Sequence, residues 1–274
     1  MVYVMTETTT NTTVILGGMG KTGRRVAQRL AAMGHPFRVA SRSTPVPFDW
    51  NDDSTWERAL DGASALYITY FPDLAIPGAA EHIRRVSRLA VERGVQRIVL
   101  LSGRGEPQSH PAQQAVRESG ADFTILECAF FCQNFDEGLV APVDDSIVFP
   151  GGDVAEPFID CDDIADVAVA ALTEPGHGGK TYELTGPRAL TFTEAIAAIA
   201  SAAGRPIRYV PVSFEDYREL LAPHMNGQTD FFIELFRFLL DGHNAQPADG
   251  VQQALGRPPR EFGAYTAGAA KAWR

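Results

Sequence analysis

Thr13-Val14-Ile15-Leu16-Gly17-Gly18-Met19-Gly20-Lys21-Thr22-Gly23 drives an apolar, β-branched run straight into a cluster of glycines. After Lys21 the apolar residues Val26, Leu30 and Met33 recur at helical spacing, so the segment reads as strand, tight turn, helix. Gly18, Gly20 and Gly23 fit G-x-G-x-x-G, and Gly17, Gly20 and Gly23 fit the looser G-x-x-G-x-x-G. Glycine suits these places because it allows the turn, lets backbone approach a pyrophosphate, and lets the helix pack closely on the strand. Glycines can serve packing alone in such a turn. Here the periodicity on both sides favours a dinucleotide site, with the phosphates on free N–H groups within Gly17, Gly18, Met19, Gly20, Lys21 and Thr22. Gly20-Lys21-Thr22 also evokes a nucleoside-triphosphate loop, but Ile15 stands where that loop needs its first glycine. No nearby strand ends in a magnesium-binding aspartate either.

The 274 residues, 45% of them hydrophobic, suffice for one large α/β domain with a substrate-covering extension. Residues 1–12 are threonine-rich and polar and read as a disordered leader, with Met5 a candidate natural start. Residues 13–150 read as the dinucleotide-binding core, and 151–274 as a smaller mixed α/β region interleaved with it. Lys plus Arg number 24 against 34 Asp plus Glu, a net charge of −10 without a basic stripe, which argues against nucleic acid as a partner. No apolar run approaches transmembrane length, so a membrane partner is not expected. Cys128, Cys132 and Cys161 lack a second Cys/His pair at zinc spacing; they read as reduced, buried thiols of a cytoplasmic protein, with no metal site.

From the glycine loop a helix should run to about Met33 and stop at Gly34, followed by a strand from Pro36 to Ser41. Arg42 follows at once, flanked by Ser41 and Ser43, where this fold places either an acid for ribose hydroxyls or an arginine for a 2′-phosphate. With no acid nearby, Arg42 favours NADP (NADPH) over NAD. Val46 to Phe48 reads as a short third strand ending at Asp49 and Trp50, which would lie beside the adenine or serve only as a helix cap and a packing indole. Strands at Ala65–Thr69, Arg97–Leu101 and Phe123–Glu127 complete a doubly wound parallel sheet of expected order 3-2-1-4-5-6. Its ligand crevice should gather Gly17 to Thr22, Thr69, Tyr70 and Phe71, Ser102, and the segment from Cys128 through Phe130 to Phe131.

The second half reads as a helix from Asp162, a strand Lys180–Thr185, a helix capped by Thr191 and Glu194, a strand Ile207–Val212 and a helix capped by Ser213. Phe231, Phe232, Leu235, Phe236, Phe238 and Leu239 make a further helix apolar nearly all round, a core element that can also line an apolar pocket.

Together with the glycine loop, Ser119-Gly-Ala-Asp-Phe-Thr-Ile-Leu126 leading to Phe131 and Asn134, Phe158 to Ala168, Gly179 to Gly186 and Gly256-Arg-Pro-Pro-Arg260 resemble the NmrA-like group of atypical short-chain dehydrogenases/reductases. The resemblance spans nearly the whole chain after Thr12. It implies an NAD(P)-binding Rossmann fold, and either a reductase of quinones, ketones or conjugated double bonds or a regulator that only senses the nucleotide. Glu127-Cys128 replaces the group's usual arginine-proline at the expected nicotinamide end. The superfamily's Tyr-x-x-x-Lys dyad, in which lysine activates a proton-donating phenol, is absent: Lys21, Lys180 and Lys271 are the only lysines, and none follows a tyrosine by four.

Polarisation of a substrate is therefore expected from Ser102, which resembles the superfamily serine at the strand tip, from Tyr70, from His110, or from water or the substrate itself. The leading expectation is an NADPH-dependent reductase of a bulky apolar or aromatic small molecule. The alternative is a catalytically silent sensor that binds a protein partner. Oligomeric state is not legible.

Overall fold

The computed structural model describes residues 11–138, 140–225 and 227–274. The expected leader and Met5 lie outside the described residues, apart from Asn11 and Thr12, and Thr12 already belongs to the first strand. β1 (Thr12–Leu16) is buried from Thr13 onward, as a strand covered on both faces must be. α1 (Lys21–Ala32) follows the glycine turn and buries Val26 and Leu30. β2 (Phe37–Ala40), α2 (Trp56–Leu60), β3 (Ala63–Ile68), α3 (Ala79–Glu92), β4 (Arg97–Gly103), α4 (His110–Arg117) and β5 (Asp122–Cys128) continue the alternation. Then come β6 (Ser146–Phe149), β7 (Ala155–Glu156), α5 (Cys161–Thr173), β8 (Lys180–Leu184), β9 (Leu190–Thr191), α6 (Phe192–Ala203), β10 (Arg208–Pro211), α7 (Phe214–Leu221), α8 (Thr229–Leu239), α9 (Gly250–Leu255) and α10 (Phe262–Ala269).

Six strands make the main sheet in the order β2-β1-β3-β4-β5-β8, and β1 pairs in parallel with both β2 and β3, as β3 does with β4. The doubly wound Rossmann class holds, with two corrections to the expected order. Val46 to Phe48 forms no strand, because Pro45 and Pro47 have no N–H to offer a ladder. The Thr44 hydroxyl instead donates to the carbonyls of Ser41 and Val46, and the Phe48 amide donates to Ser41, folding the stretch into a turn. At the other edge β8, expected in the second region, becomes the sixth strand of this sheet.

Two compact units are interleaved along the chain. The first comprises residues up to Ser102, Gln108–Leu126 and Ala165–Thr181; the second comprises Gly103–Pro107, Glu127–Ile164 and Tyr182–Arg274. In the second, β6 and β10 pair in parallel and β7 and β9 antiparallel. Its core is aromatic: Phe135, Phe149 and Phe192 are wholly buried, with Phe158, Phe236 and Phe262 nearly so. α6 carries the expected capping box, Thr191 accepting from the Glu194 amide while Glu194 accepts from the Thr191 amide. The Gly256-Arg-Pro-Pro-Arg260 motif also has a structural task. Arg257 and Arg260 both pair with the fully buried Asp163, whose second oxygen accepts the Arg260 amide, so a buried charge is neutralised rather than left alone.

Candidate active site

The glycine turn is tied down by its own backbone. Gly17 lies at φ +75°, a conformation that side chains with a Cβ rarely adopt, and its amide donates to Ala40 at the end of β2. A Cβ on Gly17 would strike the Thr69 hydroxyl at 2.0 Å, and one on Gly23 would meet Gly17 and Gly18 backbone at 2.6 Å. Gly20 differs. A Cβ there would meet only the Gly17 carbonyl oxygen, at 3.3 Å, so the space over it is left clear by the protein. Gly20 is also the N-cap of α1, with no side chain capping that helix and no acid in its first turn. An uncapped helix start above cleared space is the arrangement that receives a pyrophosphate, so these residues fit a dinucleotide.

The neighbouring strand ends converge on this turn. Thr69, just past β3, donates through both its amide and its hydroxyl to the Leu16 carbonyl. Past β2, Ser41 is held by Thr44, whose hydroxyl accepts the Ser41 amide, and the tight turn exposes Arg42. Among the described residues the Arg42 guanidinium makes no ion pair. Asp49 accepts the Trp56 indole N–H on its carbonyl, and Trp50 packs against Tyr70 with ring centroids 4.7 Å apart. The Tyr70 hydroxyl is hydrogen-bonded to His82 Nδ1 at 2.7 Å, and burial pushes its pKa up. Met19 and Phe71 are 65% and 72% exposed, two apolar side chains on the surface of the first unit at segments that border the turn.

Ser102 is buried at the tip of β4, donating to the Ser109 hydroxyl at 3.1 Å and accepting from Gln113 Nε2 at 3.0 Å. His110 is the exposed first residue of α4. Cys128 and Phe130 belong to the second unit. Burial pushes the Cys128 thiol well up, and Phe130 meets Phe149, Phe158 and Phe192 at 5.7 to 5.9 Å. His82, Ser109 and Gln113 were not legible as partners, because nothing in their spacing announces contact with Tyr70 or Ser102.

A family model of NAD(P)H-binding proteins matches residues 17–175, more than half of the chain and beginning at the glycine turn. The chain belongs to this NAD(P)H-binding family. An NAD(P)H azoreductase from Xenophilus azovorans is 29% identical over 276 residues, covering 92% of this chain and 96% of that protein. Festuclavine synthase II from Penicillium roqueforti is 30% identical over 280 residues, covering 92% and 96%. Among solved structures, the Citrobacter sp. triphenylmethane reductase complexed with NADP(H) superposes with a TM-score of 0.77 at 21% identity, covering 94% of this chain and 99% of that one.

This NAD(P)H-binding protein is an oxidoreductase of the NmrA-like, atypical short-chain dehydrogenase/reductase kind. None of its described helices is long and apolar enough to cross a membrane. Among the described residues no group of three or more His, Cys, Asp or Glu could hold a metal ion, and the three cysteines are buried and form no disulfide.

Proposed function

We propose that the protein is an NADPH-dependent reductase that passes hydride to a carbonyl, quinone or conjugated double bond of a bulky apolar or aromatic small molecule, without a Tyr-x-x-x-Lys dyad. The observation that carries the cofactor choice is Arg42, an exposed guanidinium without an ion pair at the end of β2, one strand over from the uncapped start of α1. A guanidinium can meet a 2′-phosphate with paired charge-assisted hydrogen bonds, and no acid beside it competes for ribose hydroxyls.

When bound, the nicotinamide supplies the hydride. The chain's own residues do the rest. The amides from Gly18 to Thr22 hold the pyrophosphate, Ser41 and Arg42 the 2′-phosphate, and Asp49 and Trp50 flank the adenine. Thr69, Tyr70 and Phe71 complete the cofactor's surroundings on the first unit in this reading; Cys128 and Phe130, also expected there, belong to the second unit. Ser102 keeps one acceptor position on a hydroxyl otherwise engaged by Ser109 and Gln113, so it orients rather than protonates. The names of the relatives, an azoreductase and a festuclavine synthase, support a substrate with a conjugated, ring-bearing skeleton. So does the partly buried aromatic layer of the second unit, Phe130, Tyr209, Phe214 and Phe232.

A steady-state NADPH oxidation assay against quinones, azo dyes and aromatic ketones tests the reading, with nucleotide affinity measured in parallel by fluorescence. Turnover of at least one acceptor is expected. Tight NADPH binding with no turnover of any acceptor would favour the silent sensor docking on another protein.

A further inference from the structure

His82 lies in the first turn of α3, its amide donating to the Gly78 carbonyl at 3.2 Å. The helix fixes its backbone, whereas Trp50 and Tyr70 stand on connecting segments, Trp50 past the turn that follows β2 and Tyr70 two residues past β3. The imidazole reaches from the helix to both. Its Nδ1 is 2.7 Å from the Tyr70 hydroxyl, and its ring lies within 13° of parallel to the Trp50 indole, centroids 6.4 Å apart. Tyr70 and Trp50 are themselves in contact at 4.7 Å. Burial pushes the Tyr70 pKa up, so the phenol keeps its proton and can donate it to an unprotonated Nδ1.

The buried side of this group is closed. Phe48 and Trp56, 3% and 2% exposed, meet Trp50 edge-on at 4.7 and 6.2 Å. The Trp56 indole N–H donates to the Asp49 carbonyl at 2.7 Å, and three residues beyond His82 the Arg85 guanidinium covers Trp56 at 5.1 Å while pairing with Asp53. Trp50 and Tyr70 themselves are only partly buried. β1 lies between β2 and β3 in the sheet, and the Phe48 amide ties the Trp50 segment to the Ser41 carbonyl at the end of β2. The ring pair therefore joins the chain leaving β2 to the chain leaving β3, on either side of the strand that ends in the glycine turn. That is the switch point of the sheet, where α/β proteins bind ligands at the C-terminal ends of the strands. Partly exposed π surface beside free phosphate-binding amides suits a purine base.

We propose that His82 is a positioning residue for the nucleotide: by holding the Tyr70 hydroxyl it keeps the Trp50–Tyr70 pair set as the platform on which the adenine ring stacks. This rests on the nucleotide-binding part of the reading above and needs no turnover. Trp50 and Tyr70 touch the base, and His82 acts through Tyr70. Without His82 the platform would be ordered only as the base arrives, and the entropy lost at that moment would be taken from the affinity.

The test uses adenosine 2′,5′-bisphosphate, which carries the base and both phosphate positions but no nicotinamide. Its dissociation constant and the tryptophan emission at saturation are both read; the tryptophans are Trp50, Trp56 and Trp273. Saturation should quench the wild-type emission, and Trp50→Phe should remove most of the quench. His82→Ala should weaken the probe about three- to tenfold and lower the saturating quench. His82→Asn should restore both, because its side-chain carbonyl stands as far from the backbone as Nδ1 and still accepts. Loss of packing alone would not move the quench, which at saturation is independent of affinity.

A His82→Ala protein that melts earlier yet keeps the wild-type quench and affinity overturns the proposal. If that variant does not fold, Tyr70→Phe, which deletes only the hydroxyl, should show the same losses, and a wild-type quench and affinity there overturns it equally. Failure of the wild type to bind the probe overturns this assignment and the nucleotide site together. Binding without turnover of any acceptor removes the reductase reading and leaves this assignment standing.

Discussion

The nucleotide half and the aromatic half of this protein are built from opposite materials. In the first unit the proposed binding groups are backbone amides, set by where glycine stands in one continuous stretch, Gly17 to Gly23. In the second, charged side chains that pair come from segments distant in the chain, as Asp163 and Arg260 do, in a unit whose core is largely phenylalanine. A site made of backbone is written into local spacing. A site made of side chains from remote segments leaves no spacing to find.

The sharpest way to break the contrast is Gly20→Val. The protein leaves the space over Gly20 clear, so the variant should fold with an unchanged circular dichroism spectrum and yet lose NADPH binding by more than ~10³-fold, above ~4 kcal/mol. Retained affinity would show that the pyrophosphate lies elsewhere. The counterpart in the second unit is Phe192→Ala. Phe192 is fully buried and touches the rings of Phe130, Phe149 and Phe158, so urea unfolding should report a loss of ~3–5 kcal/mol. A loss under ~1 kcal/mol would mean that the aromatic core repacks freely.

A smaller effect is expected from Arg42→Ala, which should weaken NADPH by ~1.5–3 kcal/mol, leave NADH unchanged and erase the preference between them. Equal affinity for the two nucleotides in the parent protein would remove the basis for that assignment. Smallest should be Ser102→Ala and Tyr70→Phe, each slowing turnover roughly tenfold or less, under ~1.4 kcal/mol of barrier, since both hydroxyls are engaged with protein neighbours. Elimination of activity by either one, with NADPH binding intact, would make that residue the proton donor.

What the sequence disclosed follows the same division. The strand-turn-helix at Thr13 to Met33, the turn after β2 with Arg42, and the capping box at Thr191 and Glu194 were all legible, because each depends on neighbours within a few residues. Val46 to Phe48 misled because its apolar residues suggest a strand, whereas Pro45 and Pro47 remove the donors that would pair it. β8 was legible as a strand but not as an edge of the main sheet, since pairing partners far apart in sequence leave no periodic trace. The bond from Tyr70 to His82 was invisible for the same reason: it depends on how separate segments pack.

The interleaving of the two units bears on how the chain is made. A ribosome that has delivered everything through β5 has delivered a sheet whose last edge still lacks β8. The first unit also lacks most of α5, whose Asp166 pairs with Arg29 of α1 and whose Leu172 carbonyl receives Arg97 of β4. Some forty residues of the second unit, Glu127–Ile164, emerge before those pieces do. During that interval the β5 edge presents unpaired backbone to whatever is near, which makes nascent chains halted there the ones that need protection by chaperones or rapid completion of synthesis.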